Sequence, residues 1–358
     1  MRGAFCHLFV VRARTAAAAA VLLPCLLSAV PAVGSDTAPD PAGRTCILLF
    51  MAGAGYGSGV ADLADLRALG EQECSAALAH NGAAPLPAET SQALQRRWRI
   101  RDGRQFPPAF LADLDSAGTG RLLLVHLYLG SDRIELAGRI IDAGTGLTAA
   151  ASSETCTLGG TAWRIDFALA CRRLVATLAA ADPARTGAPV APLAVHPVGF
   201  DAATAQIATQ CLVEAALADS ACAVVDPAVL GGVLVAGGAD PRRLDRPGLE
   251  LLAGAFEVSD VIVVQMITRD PDQAVLTAVD DDGPSSRTVA WETVAPFSLH
   301  LRVVDTGTGL VSTACGVDQD NAPARGWFGN IVSSTPRRLI AGATHRLWDD
   351  SRRPGKVR

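Results

Sequence analysis

Glycines recur at every second position from Gly53 to Gly59, within the stretch FMAGAGYGSGVADLADL. The stretch lies between a predicted strand and a predicted helix, a place where backbone N–H groups commonly bind phosphate. The dinucleotide-binding pattern needs G-x-G-x-x-G, however, and the Lys-Ser/Thr pair of a P-loop is missing here. Two interpretations of Gly53, Gly55 and Gly57 therefore stay open: a flexible loop, or the ligand site of a periplasmic sensor of small molecules or nucleotides.

Residues that would carry catalysis or bind a metal are scattered along the chain. The histidines after position 34 have neither i,i+4 nor His-x-His spacing. Ser58 lacks the flanking residues of a nucleophile elbow. The DDDG at 280–283 lacks the alternate-position ligands and closing glutamate of a calcium loop. We therefore expect no enzymatic activity, no metal and no cofactor, with a hydrolase using an interdomain cleft as a third alternative.

A basic loop with the sequence RRWRIRDGR is the first candidate surface for a partner. Its functional candidates are Arg96, Arg97, Trp98, Arg99 and Arg101. Guanidinium groups bind carboxylates and phosphates, so the loop suits an acidic protein, an anionic glycan or a lipid headgroup. A solvated charged surface is the other interpretation of the same pattern.

A ribbon-like insertion is the second candidate surface. The segment AVLTAVDDDGPSSRTVAWETVA predicts two strands around an Asp/Gly/Pro/Ser turn, and it carries Asp281 and Trp291. A protruding ribbon suits recognition by strand addition or through an aromatic anchor. Ordinary growth of a loop is the alternative.

The elements that position these candidates are predicted by an internal repeat. RIIDAGTGL begins at Arg139, and RVVDTGTGL begins 163 positions later at Arg302. Alternating apolar residues precede each copy, which is typical of a half-buried strand. The glycines tolerate positive φ, and an Asp can accept hydrogen bonds from the turn backbone. The sequence therefore predicts two hairpin turns, shaped by Asp142, Gly146, Asp305 and Gly309.

Matching strands and helices surround both hairpins, in the order β-α-β-α-β-β-β-α. The runs RLLLVHLYL and DVIVVQMIT predict central strands, and each follows a helix that begins near a proline. We expect an α/β (mixed α+β) fold of two tandem units, each a small mixed sheet with packed helices. The predicted boundaries are a signal peptide at 1–34, a spacer at 35–44, units at 45–180 and 193–350, a linker at 181–192, a ribbon at about 269–297 and a basic tail at 351–358.

Seven cysteines follow position 34, and an oxidising compartment would permit disulfides between them. Cys74 and Cys211 occupy matching helical positions, and Cys156 and Cys315 both follow a hairpin at an even count. One bridge per unit, Cys74–Cys156 and Cys211–Cys315, is one hypothesis. Buried free thiols are the other, because cysteine packs well as a small hydrophobic residue.

The start of the chain resembles an export signal. Three arginines precede TAAAAAVLLPCLLSAVPAVG, whose small residues suit cleavage, although retention as an anchor is an alternative. Cleavage after Gly34 changes the net charge from −5 to −8, which disfavours nucleic acid as a partner. We expect a periplasmic or secreted protein without a transmembrane span in its mature chain.

The second unit resembles the domain shared by CsgG-type curli-secretion proteins, the TolB amino-terminal domain and accessory proteins of penicillin-binding proteins. The residues that carry the resemblance are CLVEAALADSACAVVDPAVLGGVL, LELLAGAFEVSDVIVVQMI and LHLRVVDTGTGLV. The resemblance implies assembly through protein–protein contacts, without chemistry. We therefore expect an exported, non-catalytic envelope accessory protein that binds other envelope proteins, with association of its own copies as a further option.

Overall fold

The computed structural model describes twelve stretches of the chain. These are residues 45–53, 63–101, 103–129, 133–158, 162–181, 187–219, 222–269, 275–279, 290–320, 324–325, 331–332 and 336–352. Residues 43–358 form one compact unit.

Eight helices lie in the described residues. They are α1 (Leu63–His80), α2 (Ala88–Arg97), α3 (Pro108–Ser116), α4 (Trp163–Ala180), α5 (Ala202–Ala218), α6 (Pro227–Ala236), α7 (Arg246–Phe256) and α8 (Pro336–Arg352).

Three of these helices begin at an aspartate that caps the free backbone N–H groups. The carboxylates of Asp201, Asp226 and Asp245 accept hydrogen bonds from backbone amides in the first turns of α5, α6 and α7. Proline in the first turn of α3, α6 and α7 fits because an N–H group there has no helical partner.

Fifteen strands complete the described elements. They are β1 (Thr45–Gly53), β2 (Ala84–Pro85), β3 (Arg121–Leu129), β4 (Arg133–Asp142), β5 (Leu147–Thr157), β6 (Ala188–Pro192), β7 (His196–Val198), β8 (Cys222–Val225), β9 (Asp260–Thr268), β10 (Val275–Val279), β11 (Ala290–Val294), β12 (Phe297–Asp305), β13 (Val311–Gln319), β14 (Ala324–Arg325) and β15 (Ile331–Val332).

Eleven of the strands form one mixed sheet in the order β13-β12-β9-β6-β8-β5-β4-β3-β1-β2, with β7 paired to β9. The predicted mixed α/β class is therefore confirmed. The order β5-β4-β3-β1-β2 in the first half is matched by β13-β12-β9-β6-β8 in the second. The strands of both halves share one sheet, and the predicted division into tandem units stays a prediction.

A short antiparallel pairing joins the two halves. Leu147 and Thr148 of β5 lie opposite Val225 and Val224 of β8. The backbone N–H of Asp226 extends this pairing by donating to the Gly146 carbonyl, at 3.0 Å. β8 therefore covers the side of β5 that faces away from β4, next to the first hairpin.

Hydrophobic cores lie on both faces of the first-half strands. The run LLLV in β3 alternates between them, so that Leu123 packs with Phe50 and Phe167 against α1 and α4, while Leu124 packs with Phe110 against α3. Burial on both faces explains why β3 is an almost continuous apolar run. In the second half, α5 and α8 pack together over β9 and β12.

The two hairpin turns are built in the same way. Asp142 accepts hydrogen bonds from the backbone N–H and the hydroxyl of Thr145, at 2.8 and 2.7 Å. Asp305 accepts the matching pair from Thr308, at 2.6 and 2.7 Å. Gly146 and Gly309 follow at φ of 71° and 72°, the left-handed region that glycine adopts without a steric penalty.

The predicted bridges Cys74–Cys156 and Cys211–Cys315 are absent, since all four residues are free thiols. Cys74 and Cys156 do face the same hydrophobic cluster, but Cys74 hydrogen-bonds the thiol of Cys171 on α4. The even count on the strand indicates which face a cysteine occupies. It does not indicate which helix position lies opposite, and that is why the pairing was wrong.

The second predicted bridge fails for the same reason. Cys211 is buried within α5, whereas the Cys315 thiol donates to the Leu347 carbonyl of α8, at 3.6 Å.

The segment predicted as a linker, 181–192, contains a strand of the sheet. This strand is β6, which enters the middle of the sheet between β8 and β9, and the three-residue β7 follows it and pairs with β9. Among the described helices, none combines the length and hydropathy needed to cross a membrane.

Candidate functional site

The basic loop lies at the end of α2, and part of it is tied to α3. The indole N–H of Trp98 donates to Asp113 at 3.0 Å, and the Arg97 guanidinium lies 3.2 Å from the same carboxylate. Arg97 also stacks over the Trp98 ring, at 5.3 Å from its centroid. Trp98 is partly buried against the core beside α3. The tryptophan therefore anchors the loop to its own fold.

The other arginines of the loop point outward. Arg96, Arg99 and Arg101 are exposed, and Arg99 has a φ of 52° in the tight turn after the helix. Their role as partner-binding residues stays a prediction.

Several predicted candidates lie wholly or partly outside the described residues. Gly53 ends β1, whereas Gly55, Gly57 and Asp281 lie outside the described residues. Trp291 lies in β11 opposite Ala278 of β10, as part of a two-stranded antiparallel ribbon, and its side chain is likewise outside the description. The ligand-binding role of the glycine loop and the partner-binding role of the ribbon therefore stay predictions.

An apolar edge of the sheet is a further exposed surface, and no local sequence pattern predicted it. Leu310 and Val311, just after the second hairpin turn, are 69% and 51% exposed. Among the described strands, β13 pairs only with β12, so its outer side is an open edge. Its matching strand in the first half, β5, has the same two positions covered: Leu147 is partly buried and Thr148 is 2% exposed.

A buried ion pair lies at the joint between the halves. The Nε atom of Arg139 on β4 is 3.4 Å from Oδ2 of Asp226, the residue that caps α6. Asp226 also accepts hydrogen bonds from the Thr148 hydroxyl at 3.1 Å and from the Ala228 backbone N–H at 2.8 Å. Each carboxylate oxygen therefore has a partner within the fold.

A cavity of about 360 Å³ adjoins this ion pair. Its walls come from the loop before α3, from β3 and β4, from the segment around β7, from α5, from the first half of α6 and from the loop that follows α6. Arg104, Arg139 and Arg242 line it together with His126, Tyr128 and Gln206. The sequence offered one signal for it, because Glu135 and Arg139 are charged residues in the interior of a strand that is buried along almost its whole length.

Gly103 lets the loop approach the floor of this cavity. Its φ is 63°, and a Cβ there would lie 2.8 Å from Leu124 Cδ1 and 3.2 Å from His126 Nε2. Any other residue would be strained and would push into β3.

The buried thiols near the cores are poor candidates for chemistry. Burial raises the pKa of Cys46 and of Cys156 to about 11, and burial likewise raises the pKa of Cys211. Thiolate is the nucleophilic form, so these side chains stay unreactive at neutral pH. Within the described ranges, no group of three or more metal-ligating side chains comes together.

Comparisons with known proteins identify no family. No family model and no curated protein matches the chain. Lipoprotein GNA1162 from Neisseria meningitidis is 13% identical with a TM-score of 0.25, over 32% of this chain and 82% of that one. The LpoB C-terminal domain from Salmonella enterica is 14% identical with a TM-score of 0.25, over 41% and 93%. The PelC dodecamer from Paraburkholderia phytofirmans is 11% identical with a TM-score of 0.26, over 38% and 88%.

Similarity at this level identifies neither a family nor a function. The resemblance of the sequence to CsgG-type and TolB amino-terminal domains therefore stays a prediction.

Proposed function

We propose that this protein is an exported, non-catalytic assembly module of the cell envelope that joins folded chains through the open edge of its sheet. The observation that carries the proposal is the contrast between two matching positions. Leu147 and Thr148 are covered by β8, whereas Leu310 and Val311 are exposed at the open edge of β13.

An exposed apolar edge strand is costly for a protein that functions alone. Unpaired strand edges invite association, and soluble proteins usually protect them with charges, prolines or covering elements. Leu310 and Val311, where β13 begins, match Leu147 and Thr148, the two residues of β5 that pair with β8 in the internal joint. The edge therefore suits antiparallel addition of a strand, which is a common way of recognising a partner.

A second copy of the chain fits this edge. At the other end of the sheet, β2 holds the place in the strand order that β8 holds in the second half, and Ala84 of β2 is exposed. The internal joint uses only two residue pairs in its sheet, so a strand as short as β2 suffices. Repeating the joint between copies gives a head-to-tail interface, which closes into a ring or continues as a filament.

The head-to-tail arrangement also brings opposite charges together from the two ends of the sheet. Arg302 matches Arg139 in the repeat and is exposed, and Glu89 in the first turn of α2 is exposed close after β2. In the internal joint, Arg139 meets Asp226 at the start of α6. Glu89 of the next copy is therefore placed to meet Arg302.

Solution mass measured across a range of concentrations tests the proposal. We expect the wild type to associate, and Leu310→Asp to weaken association by about tenfold or more, because it places a charge in an apolar contact. Ile165→Asp is the matched control, since Ile165 is a similarly exposed apolar residue, at 65%, on α4. A wild type that stays monomeric throughout, or equal effects of both substitutions, would contradict the proposal.

A charge exchange locates the interface. Arg302→Glu and Glu89→Arg should each weaken association, and the double variant should recover it because the pair is restored with reversed signs. Additive losses in the double variant would exclude this pairing of ends.

A further inference from the structure

The cavity beside Arg139 indicates a function beyond assembly, because arginines provide the charged side chains of its walls. Three arginines line it, and no aspartate or glutamate is among the described residues that do so. Arg139 is buried at the base, whereas Arg104 and Arg242 are exposed. A concave site with walls of low dielectric and one sign of charge concentrates ions of the opposite sign.

Arg139 provides a hydrogen-bond donor that the fold does not use. Its side chain is 6% exposed, and its ion pair with Asp226 is made through Nε. Among the described residues, Nη1 of this guanidinium has no hydrogen-bond acceptor. Asp226 faces this guanidinium through Nε, and its two oxygens also accept from Thr148 and Ala228. A buried charged donor without an acceptor is costly, so an oxyanion in the cavity would be strongly favoured.

Tyr128 adds a neutral donor near the arginines. Burial raises the pKa of its phenol and the buried Glu135 carboxylate acts in the same direction, while Arg139 and Arg104 act in the opposite direction, so these charged groups are close to it. The phenol therefore stays protonated at physiological pH, and its O–H donates to Oε1 of Gln206 at 3.4 Å. The ring of Tyr128 also stacks on that of His126, with centroids 6.1 Å apart and planes 15° apart.

Size and composition together define the ligand. The volume of about 360 Å³ lies near the lower end of small-molecule sites. Guanidinium forks select carboxylates and phosphates, and the paired rings give the remainder of the molecule a flat wall. We propose that this cavity binds a small organic anion, with its carboxylate or phosphate on Arg139 and the other arginines closing around it.

The cavity depends on both halves of the chain. Arg104 and Arg139 come from the first half, whereas Arg242 and the residues of α5 come from the second. An anion bound there would bridge the halves and stabilise the joint. Binding should therefore raise the unfolding temperature, because a ligand of the folded state shifts the folding equilibrium.

Calorimetry and thermal unfolding at constant ionic strength test the site with four probes. These are glucose 6-phosphate, glucuronate, inorganic phosphate and glucose. We expect glucose 6-phosphate or glucuronate to bind and raise the unfolding temperature, and uncharged glucose to do neither. The stronger of the two acids identifies phosphate or carboxylate as the preferred group. Failure of both acids to bind would overturn the proposal, and binding of inorganic phosphate alone would refute the organic part of it.

Two neighbouring arginines provide a matched pair of variants. Arg242 lines the cavity and Arg243 does not, although both are exposed. Arg242→Gln should weaken binding of the preferred acid by about tenfold, the equivalent of about 1.4 kcal/mol, whereas Arg243→Gln should leave it unchanged. Equal effects of the two substitutions would indicate attraction by the general field and overturn the assigned site.

The buried arginine needs a variant that still folds. Arg139→Gln alone leaves Asp226 as an uncompensated buried charge, so the double variant Arg139→Gln/Asp226→Asn replaces the ion pair by a neutral pair. We expect this protein to unfold cooperatively and to have lost binding of the acid. Retained affinity in a folded double variant would overturn the proposal. If the double variant does not fold, the comparison of Arg242→Gln with Arg243→Gln decides the outcome.

Discussion

Arg139 and Asp226 form an ion pair of 3.4 Å that is almost completely removed from solvent, with side-chain exposures of 6% and 0%. The arginine opens the first copy of the repeated nonamer, and the aspartate caps a helix of the second half. Arg302 opens the other copy and is exposed. The repeated arginines therefore have different roles, because the start of α6 covers Arg139, whereas no element of the described residues buries Arg302.

Removing the carboxylate of this pair should destabilise the fold strongly. We expect Asp226→Ala to lower the free energy of unfolding by about 3–5 kcal/mol, because it leaves the Arg139 charge buried and unpaired. Asp245→Ala is the control, since Asp245 caps α7 in the same way from an exposed position, and its loss should cost about 1 kcal/mol. Urea unfolding of both variants measures the difference, and equal losses would show that the buried pair adds nothing beyond capping.

Local features of this fold were predictable from sequence because a few adjacent residues determine them. The hairpin turns follow from Asp and Thr three residues apart and a glycine with positive φ, all within one short stretch. Central strands such as β3 follow from a continuous apolar run that has to be buried on both faces.

Features that depend on distant residues were not predictable in the same way. The cavity brings Arg104 and Arg242 together from positions more than a hundred residues apart, and no local pattern marks that meeting. The failed pairing of Cys74 with Cys156 has the same origin. The strand pattern indicated the face, but the packing of α1 against α4 determined that Cys171 would be the neighbour.

Close packing of α6 gives a second test of the joint. A Cβ on Gly232 would overlap the backbone carbonyl of Phe106, which cannot move as a flexible side chain would. We expect Gly232→Ala to lower the free energy of unfolding by about 2 kcal/mol or more. Gly254→Ala on α7 is the control, because no atom lies within 4 Å of its added Cβ, and it should stabilise the helix by about 0.5–1 kcal/mol. A neutral Gly232→Ala would mean that α6 does not pack on the loop before α3.

Alkylation of the native protein distinguishes free thiols from bridges. Cys315 is partly exposed, whereas the other described cysteines are buried, so iodoacetamide at pH 8 should modify Cys315 first. Denaturant without a reductant should then expose all seven, from Cys46 to Cys315, to the reagent. Peptide mapping by mass spectrometry gives the order. Protection of Cys74 or Cys211 in denaturant until reductant is added would restore the bridge hypothesis.

Alkaline pH should destabilise the fold partly through Cys46. Burial raises the pKa of this thiol from 9.0 to about 11, so the unfolded chain loses this proton at a lower pH than the folded chain. The contribution to stability is complete below pH 9.0 and is lost as the pH rises to about 11. The deficit of Cys46→Ala relative to wild type should therefore shrink over this interval by on the order of 1–3 kcal/mol. Leu48→Ala removes a non-titrating side chain that β1 buries in the same cluster, so its deficit should stay constant with pH. Parallel pH profiles of the two variants would show that the Cys46 thiol does not titrate as its burial requires.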